Sequence, residues 1–206
     1  MTLARRAVGL PLVLAVLIAA GGCQDDSPPP QPVDPARATL FRFEAFASAP
    51  RVGGGRVAID DLRGNVVAIV LLNTWSSPCR SAAPLMVSLY ERYRGRQFEM
   101  LGLVYESADN VDESRRAVER FRAQFKIPFP LAFGPEVVWR ELKREAGATG
   151  RMPTFVLLDR QGVARDLFEG LPPGYEQVLA DRIERLLAEP HVPPASGADA
   201  TDDGPA

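Results

Sequence analysis

The stretch NTWSSPCRS, residues 73–81, joins a predicted strand to a predicted helix. Before it runs NVVAIVLLNTW (65–75), a continuous segment of β-branched residues and leucine that predicts a central strand buried on both faces. After it, SPCRSAAPLMVSLYERYRG (77–95) has apolar residues at helical spacing and ends at Gly95. A dithiol site of the C-x-x-C kind would need a cysteine at position 76, where this chain has Ser76. The stretch therefore has the form of a redox site with only one of its two sulfurs.

Predicted strands and helices alternate along the chain on both sides of this stretch. The order is β-α-β-α-β-α-β-β-α, which predicts an α/β fold with a central, mostly parallel sheet, an antiparallel C-terminal hairpin and helices on both faces. Val111 and Val178 are expected on the buried faces of their helices. The predicted strands are 40–46, the start of 56–64, 65–75, 97–106, 129–133, 153–159 and 163–170, and the predicted helices are 77–95, 111–126, 135–147 and 174–189.

The first 22 residues have the features of a targeting segment rather than of the folded domain. Arg5 and Arg6 precede an apolar stretch, and small residues come just before Cys23, as in a secretory signal peptide. A membrane-spanning anchor is the alternative, but the apolar run is short and is interrupted by Gly and Pro. AAGGC (19–23) resembles the lipobox of bacterial lipoproteins, in which the cysteine receives lipid. This resemblance implies a lipidated Cys23 and a domain outside the cytoplasm, and Gln24 after it favours the outer membrane.

The composition bounds the rest of the chain. Residues 23–38 and 190–206 are rich in Pro and Asp and lack an apolar period, so we predict a tether and a disordered tail around a domain at 39–189. A net charge of −2, with both signs interspersed, gives no reason to expect a nucleic acid partner. With two cysteines and one histidine, His191, the chain lacks the residues for a disulfide framework or a common zinc or copper site. No cofactor is expected.

Two segments, far apart in the chain, resemble the thioredoxin-like superfamily. LLNTWSSPCRSAAPLM (71–86) is similar to its active-site segment, which runs from a strand through W-C-x-P-C into a helix. GATGRMPTFVLLDRQGVARDLFEG (147–170) is similar to its later segment, with a cis-proline, a threonine, a strand, D-x-x-G and a second strand. The extra βα unit between them resembles the envelope-anchored TlpA/ResA branch, which is related to the AhpC/TSA redoxins. The resemblance covers about residues 40–188 and implies a thiol-redox protein.

The same resemblance assigns candidate site residues. Trp75, Pro78 and Cys79 fall on family site positions, and Pro153 would be the cis-proline facing Cys79, with Met152 and Thr154 beside it. In the family, this proline leaves the backbone of the preceding residue free to pair with an extended substrate chain. An ordinary proline at the start of a strand is the alternative for Pro153.

Ser76 changes the chemistry that the resemblance implies. A hydroxyl cannot form a disulfide, so the dithiol cycle is impossible within one chain and Cys79 has no partner. Serine is also a preferred N-cap that would accept the N–H of Cys79, so the cysteine could be merely buried in a binding module that uses the groove beside Pro153. Alternatively the helix N-terminus, aided by Arg80 or Arg151, would favour a Cys79 thiolate.

Three functions remain open for such a site. A single-thiol oxidoreductase would form a mixed disulfide between Cys79 and an envelope protein or a small thiol, and another molecule would resolve it. A non-catalytic module would hold an extended peptide or a partner protein. The Ser-x-x-Cys spacing also resembles peroxiredoxins, in which Cys79 would become a sulfenic acid, although Leu72 stands where they carry a proline. We expect the protein in the bacterial cell envelope, attached to the membrane by lipid.

Overall fold

The structure is a computed structural model that describes residues 42–44, 47–106, 110–171 and 174–190. The predicted signal peptide, the tether with Cys23, and the tail from residue 191 onward lie outside the described residues. The strands are β1 (Ser48–Pro50), β2 (Arg56–Ala58), β3 (Val66–Leu72), β4 (Phe98–Val104), β5 (Leu131–Phe133), β6 (Thr154–Leu158) and β7 (Ala164–Glu169). The helices are α1 (Ser77–Tyr93), α2 (Val111–Phe125), α3 (Glu136–Ala146) and α4 (Tyr175–Ala188), with a short 3-10 helix at Asp60–Leu62.

Five strands form the central sheet in the order β5-β4-β3-β6-β7. Strands β3, β4 and β5 are parallel, β6 is antiparallel to β3, and β7 is antiparallel to β6 and so runs in the direction of β3. This confirms the predicted α/β fold with an antiparallel C-terminal hairpin. Strands β1 and β2 form a separate hairpin beside β5, where Val52 N–H donates to the Leu131 carbonyl at 2.9 Å.

The central position of β3 explains its unbroken apolar sequence. All seven of its residues are buried. Because side chains alternate across a strand, Val66, Ala68, Val70 and Leu72 face the cluster formed with α1, α2 and α4, whereas Val67, Ile69 and Leu71 face α3. The sequence prediction of a strand buried on both faces is confirmed.

Some expectations at the ends of elements were wrong. Of the predicted strand at 40–46, residues 40, 41, 45 and 46 lie outside the described residues, and within 42–44 Arg42 makes an isolated bridge to Val163. Val111 is 66% exposed and Val178 is 36% exposed, although both were expected to be buried. Val111 is the first residue of α2, and Val178 lies off the face of α4 that buries Tyr175, Leu179 and Ile183. Strand β5 begins at Leu131, two residues later than predicted.

One end of the sheet collects the candidate residues. Strands β3, β4, β5 and β7 all finish there, and β6 starts there, because it runs the opposite way. All four helices also begin at this end, since each follows one of the strands that finish there. The fold therefore brings the β3–α1 turn, the residues after β4, the start of β6 and the last residue of β7 to the same edge.

None of the helices in the described part of the chain has the length and apolar character that crossing a bilayer requires.

Candidate functional site

The helix start at Ser76 is built as the sequence predicted. Ser76 is the N-cap of α1, with extended backbone, and its Oγ accepts the N–H of Cys79 at 3.4 Å. Its carbonyl accepts the N–H of Arg80 at 3.1 Å. Pro78 lies within the first turn, where its missing N–H leaves no hydrogen bond unmade. These contacts confirm the predicted cap and fix Cys79 in the first turn of α1.

Asn73 joins the two segments of the site, and the sequence analysis did not single it out. It lies just after β3 and is 6% exposed. Its Oδ1 accepts the N–H of Ser76 at 3.0 Å, and its Nδ2 donates to Met152 Sδ at 3.3 Å. The available signal was the preference of Asn for turns in which its side chain bonds the backbone a few residues on. The contact with Met152, 79 residues later, has no such local signal.

Cys79 is fully buried, with 0% of its surface exposed. Burial raises the pKa of its thiol, and the Glu106 carboxylate acts in the same direction, whereas hydrogen bonds from the Ser76 side chain and the Asn73 backbone oppose the shift. The expectation that the helix N-terminus would favour a Cys79 thiolate is therefore wrong for this structure, because loss of solvent outweighs the local donors. The arrangement holds Cys79 as a neutral thiol.

The two arginines expected to assist Cys79 are placed otherwise. The Arg80 guanidinium donates to the Thr74 carbonyl at 3.3 Å and to Gln124 at 2.8 Å, and it lies 5.3 Å from the centre of the Phe125 ring. It thus ties α1 to α2. Arg151 is exposed. A carboxylate lies close to the site instead, since Glu106 Oε1 accepts the Thr74 N–H at 2.7 Å.

The second segment meets the first through β6. Thr154, its first residue, pairs with Leu71 of β3, two residues before Asn73. The Met152–Pro153 peptide bond is cis, and the Pro153 carbonyl accepts the N–H of Gly170 at 2.8 Å. Thr154 is buried and its hydroxyl donates to the Arg151 carbonyl. Within the described part of the chain, the backbone N–H and carbonyl of Met152 have no backbone partner.

The predicted residues thus divide into buried and exposed groups. Met152 packs against the core cluster that contains Cys79, so the two segments share one apolar environment. Trp75 is 70% exposed, although it is large and apolar. Beside it, Pro78 lines an open groove of 230 Å³ between α1 and the start of α4, together with Leu85 and Tyr175.

The site holds one sulfur that could react. Cys79 is the free cysteine of the described residues. Among those residues there is no group of three or more His, Cys, Asp or Glu side chains that could hold a metal ion. The chemistry available is that of a single thiol beside a hydroxyl, an amide and a carboxylate.

A five-stranded mixed sheet, a strand-to-helix turn carrying W-x-x-P-C, and a cis-proline at the start of the next paired strand define a thioredoxin-like protein. The AhpC/TSA family model matches residues 42–166, which is more than half of the chain, so this chain belongs to the AhpC/TSA family. The TlpA/ResA-type resemblance of the sequence is confirmed by relatives of that type.

The chain is similar to the thiol-disulfide oxidoreductase ResA of Bacillus cereus, with 29% identity over 111 residues, or 53% of this chain and 57% of the relative. Its identity to ResA of Geobacillus kaustophilus is 29% over 112 residues, or 54% of this chain and 59% of the relative. It thus matches less than two thirds of the length of either relative. A Chlorobium tepidum structure assigned as thiol:disulfide interchange protein DsbE has 26% identity and a TM-score of 0.56, covering 68% of this chain and 92% of that one.

Proposed function

We propose that this chain is a thiol oxidoreductase of the ResA/DsbE type that works through Cys79 alone, outside the cytoplasm and attached to the membrane by lipid on Cys23. The observation that carries the proposal is the position of Cys79 at the N-terminus of α1, hydrogen-bonded to Ser76, where the family has its redox site. The relatives named as thiol-disulfide oxidoreductases support the same chemistry.

The proposed reaction is one exchange followed by resolution from outside. Once the β3–α1 turn has opened, the Cys79 thiol loses its proton to solvent, and its sulfur attacks one sulfur of a partner disulfide. The new S–S bond joins Cys79 to the partner, and the partner's other sulfur leaves as a thiolate. Because the described part of the chain holds no second thiol, a thiolate of another envelope protein or a small thiol then attacks the partner's sulfur in the mixed disulfide. A new S–S bond joins the attacking sulfur to the partner, and Cys79 leaves as a thiolate that takes a proton from solvent.

Access to the sulfur sets the rate of this cycle. Cys79 has no exposed surface, so the β3–α1 turn must open before a partner disulfide can reach it. The hydrogen bonds that hold the turn closed include those from Ser76 N–H to Asn73 and from Cys79 N–H to Ser76. Glu106 and Arg80 also bond Thr74 in this turn. We therefore expect a slow reaction that depends on opening rather than a poised thiolate.

A second candidate is a non-catalytic binding module, and the full burial of Cys79 with its raised pKa favours it. Such a module would hold an extended peptide with exposed Trp75 and with the Met152 backbone, which has no backbone partner within the described ranges. It would leave Cys79 as a core residue.

Modification of the native full-length protein separates these functions. The protein is incubated with glutathione disulfide, and mass spectrometry of its peptides distinguishes Cys79 from Cys23. Native glutathionylation of Cys79 that dithiothreitol reverses is the expected result. Modification of Cys79 only after denaturation would contradict the oxidoreductase and favour the binding module. A parallel sample with hydrogen peroxide and a sulfenic-acid probe tests the peroxidase alternative, which requires an adduct on Cys79.

A further inference from the structure

Glu169 makes an unusual set of contacts with the loop before the cis-proline. It is the last residue of β7, and its backbone lies opposite Thr154 of β6. Its carboxylate accepts the N–H groups of Thr149 at 2.9 Å, Gly150 at 2.8 Å and Arg151 at 3.2 Å. The Thr149 hydroxyl adds a fourth donor at 3.0 Å.

Three successive backbone N–H groups can point at one carboxylate when the turn that carries them includes a residue in a left-handed conformation. Gly150 supplies it, with φ of +94°, a left-handed conformation that a side chain would strain. Such a concave array of N–H groups is a general anion-binding arrangement, and here the anion is supplied by the chain itself. Hydrogen bonds to an ionised carboxylate are stronger than neutral ones, so Glu169 holds the loop firmly.

The loop that Glu169 holds leads directly into Met152, whose backbone has no backbone partner among the described residues. Thr149, Gly150 and Arg151 are exposed, so little packing fixes them apart from this carboxylate. Met152 follows, anchored on its other side by its contact with Asn73. Beyond it, Gly170, the neighbour of Glu169, donates to the Pro153 carbonyl. The backbone around Met152 is therefore held before it by Glu169 and after it by Gly170, while Asn73 contacts its side-chain sulfur.

We propose that Glu169 is a positioning residue that orients the Met152 backbone so that an extended polypeptide can pair with it beside Cys79. This inference rests on the proposed thiol function, because the paired polypeptide is the one that carries the disulfide attacked by Cys79. A small disulfide needs only the sulfur, whereas an extended chain also needs an aligned N–H and carbonyl. Glu169 therefore affects the reaction with an extended polypeptide disulfide and does not affect the reactivity of the Cys79 thiol toward a small disulfide.

Two probes with the same leaving group test this in the full-length protein. One is the 2-pyridyl disulfide of 2-mercaptoethanol, and the other is a heptapeptide whose central cysteine carries the same pyridyl disulfide. Release of pyridinethione gives the rate with each probe, and the concentration dependence separates half-saturation from the limiting rate. Wild type is compared with Glu169→Ala, Glu169→Gln and the control Glu184→Ala. Glu184 is a suitable control because it also accepts two hydrogen bonds, at 3.0 and 2.9 Å, from Arg96. Arg96 follows the C-terminal end of α1, whereas the site lies at the N-terminal end.

The expected result is a selective loss. Glu169→Ala reacts about tenfold more slowly with the peptide at low concentration, through a higher half-saturation, which corresponds to loss of roughly one good hydrogen bond. Its rate with the small probe stays within about twofold of wild type, the ordinary scatter of a surface substitution. Glu169→Gln keeps one accepting oxygen and gives a smaller loss. Glu184→Ala changes neither rate.

Other outcomes overturn the inference in distinguishable ways. Equal slowing of both probes would show that Glu169 only supports the fold, and no change with either would show that the loop keeps its shape without it. If Glu169→Ala does not fold, Glu169→Gln decides by the same ratio of rates. Failure of wild-type Cys79 to react with the small probe would instead refute the thiol function itself, and with it this inference.

Discussion

Ser76→Cys is the substitution that asks most directly whether one atom separates this site from a dithiol site. The Ser76 side chain already lies over the first turn of α1, where its oxygen is 3.4 Å from the Cys79 N–H. Positions three apart in a helix are neighbours, with Cβ atoms about 5–6 Å apart, and a disulfide needs about 3.5–4.5 Å. A modest adjustment of the turn therefore brings the two sulfurs into bonding range. We expect the variant to form an intramolecular disulfide.

The oxidised form of this variant should be more stable than wild type, and the reduced form should be less stable. Loss of the capping hydroxyl costs about 1 kcal/mol in the reduced form, or about 2–4 °C of melting temperature for a domain of this size. Closing a loop of about four residues stabilises the oxidised form by about 2 kcal/mol in the chain-entropy account. The oxidised variant should therefore melt slightly above wild type and the reduced variant slightly below it.

Thiol titration, intact mass and thermal melting in glutathione buffers of graded potential measure these quantities. Ser77→Cys is the matched control, because residues two apart in a helix do not face each other, so its thiol and that of Cys79 should stay free. Persistence of two free thiols in native, oxidised Ser76→Cys would refute the reasoning. So would disulfides formed only between molecules, since both results mean that Cys79 cannot meet a sulfur at position 76.

Three further predictions concern the same site and its support. The rate of Cys79 alkylation should keep rising through pH 9, because burial raises the thiol pKa above its ordinary value, and a plateau below pH 8 would contradict this. Met86→Ala should lower the free energy of unfolding by about 2–5 kcal/mol in urea titration, because Met86 is fully buried; a loss below about 1 kcal/mol would mean that the core collapses around the gap. Asn73→Ala should speed native labelling of Cys79 by removing the bond to Ser76, whereas an unchanged rate would show that Asn73 does not hold the turn.

The parts of the site that the sequence predicted are those set by local patterns. The strand 66–72 has only apolar residues, and the helix after it starts with a serine that can cap and a proline that fits the first turn. Such signals lie within a few residues of one another, so they are visible without the fold. The match of the two distant segments to the thioredoxin-like superfamily then supplied the prediction that Pro153 is a cis-proline, which the structure has, and the expectation that it faces Cys79.

The parts that were missed depend on contacts between residues distant in sequence. Glu106 bonds the Thr74 N–H from 32 residues away, and Glu169 bonds the loop before Pro153 from 18 to 20 residues away. Nothing in a pattern of apolar and polar residues marks which of many glutamates will do this. The prediction that Cys79 is a thiolate was wrong for the same reason. The helix N-terminus that favours a thiolate is a local feature, whereas the burial that raises the pKa of Cys79 comes from the packing of several elements.

The closed turn allows an estimate of how reactive Cys79 can be. Opening it breaks at least two hydrogen bonds, from Ser76 N–H to Asn73 and from Cys79 N–H to Ser76. At about 1 kcal/mol net each, these alone leave about one molecule in thirty open. Exposure of the apolar surface around the sulfur lowers that fraction further. A single-thiol oxidoreductase therefore predicts native labelling at least about thirtyfold slower than that of a free cysteine. A rate equal to that of global unfolding would mean that the turn never opens by itself, and Cys79 would then be a core residue.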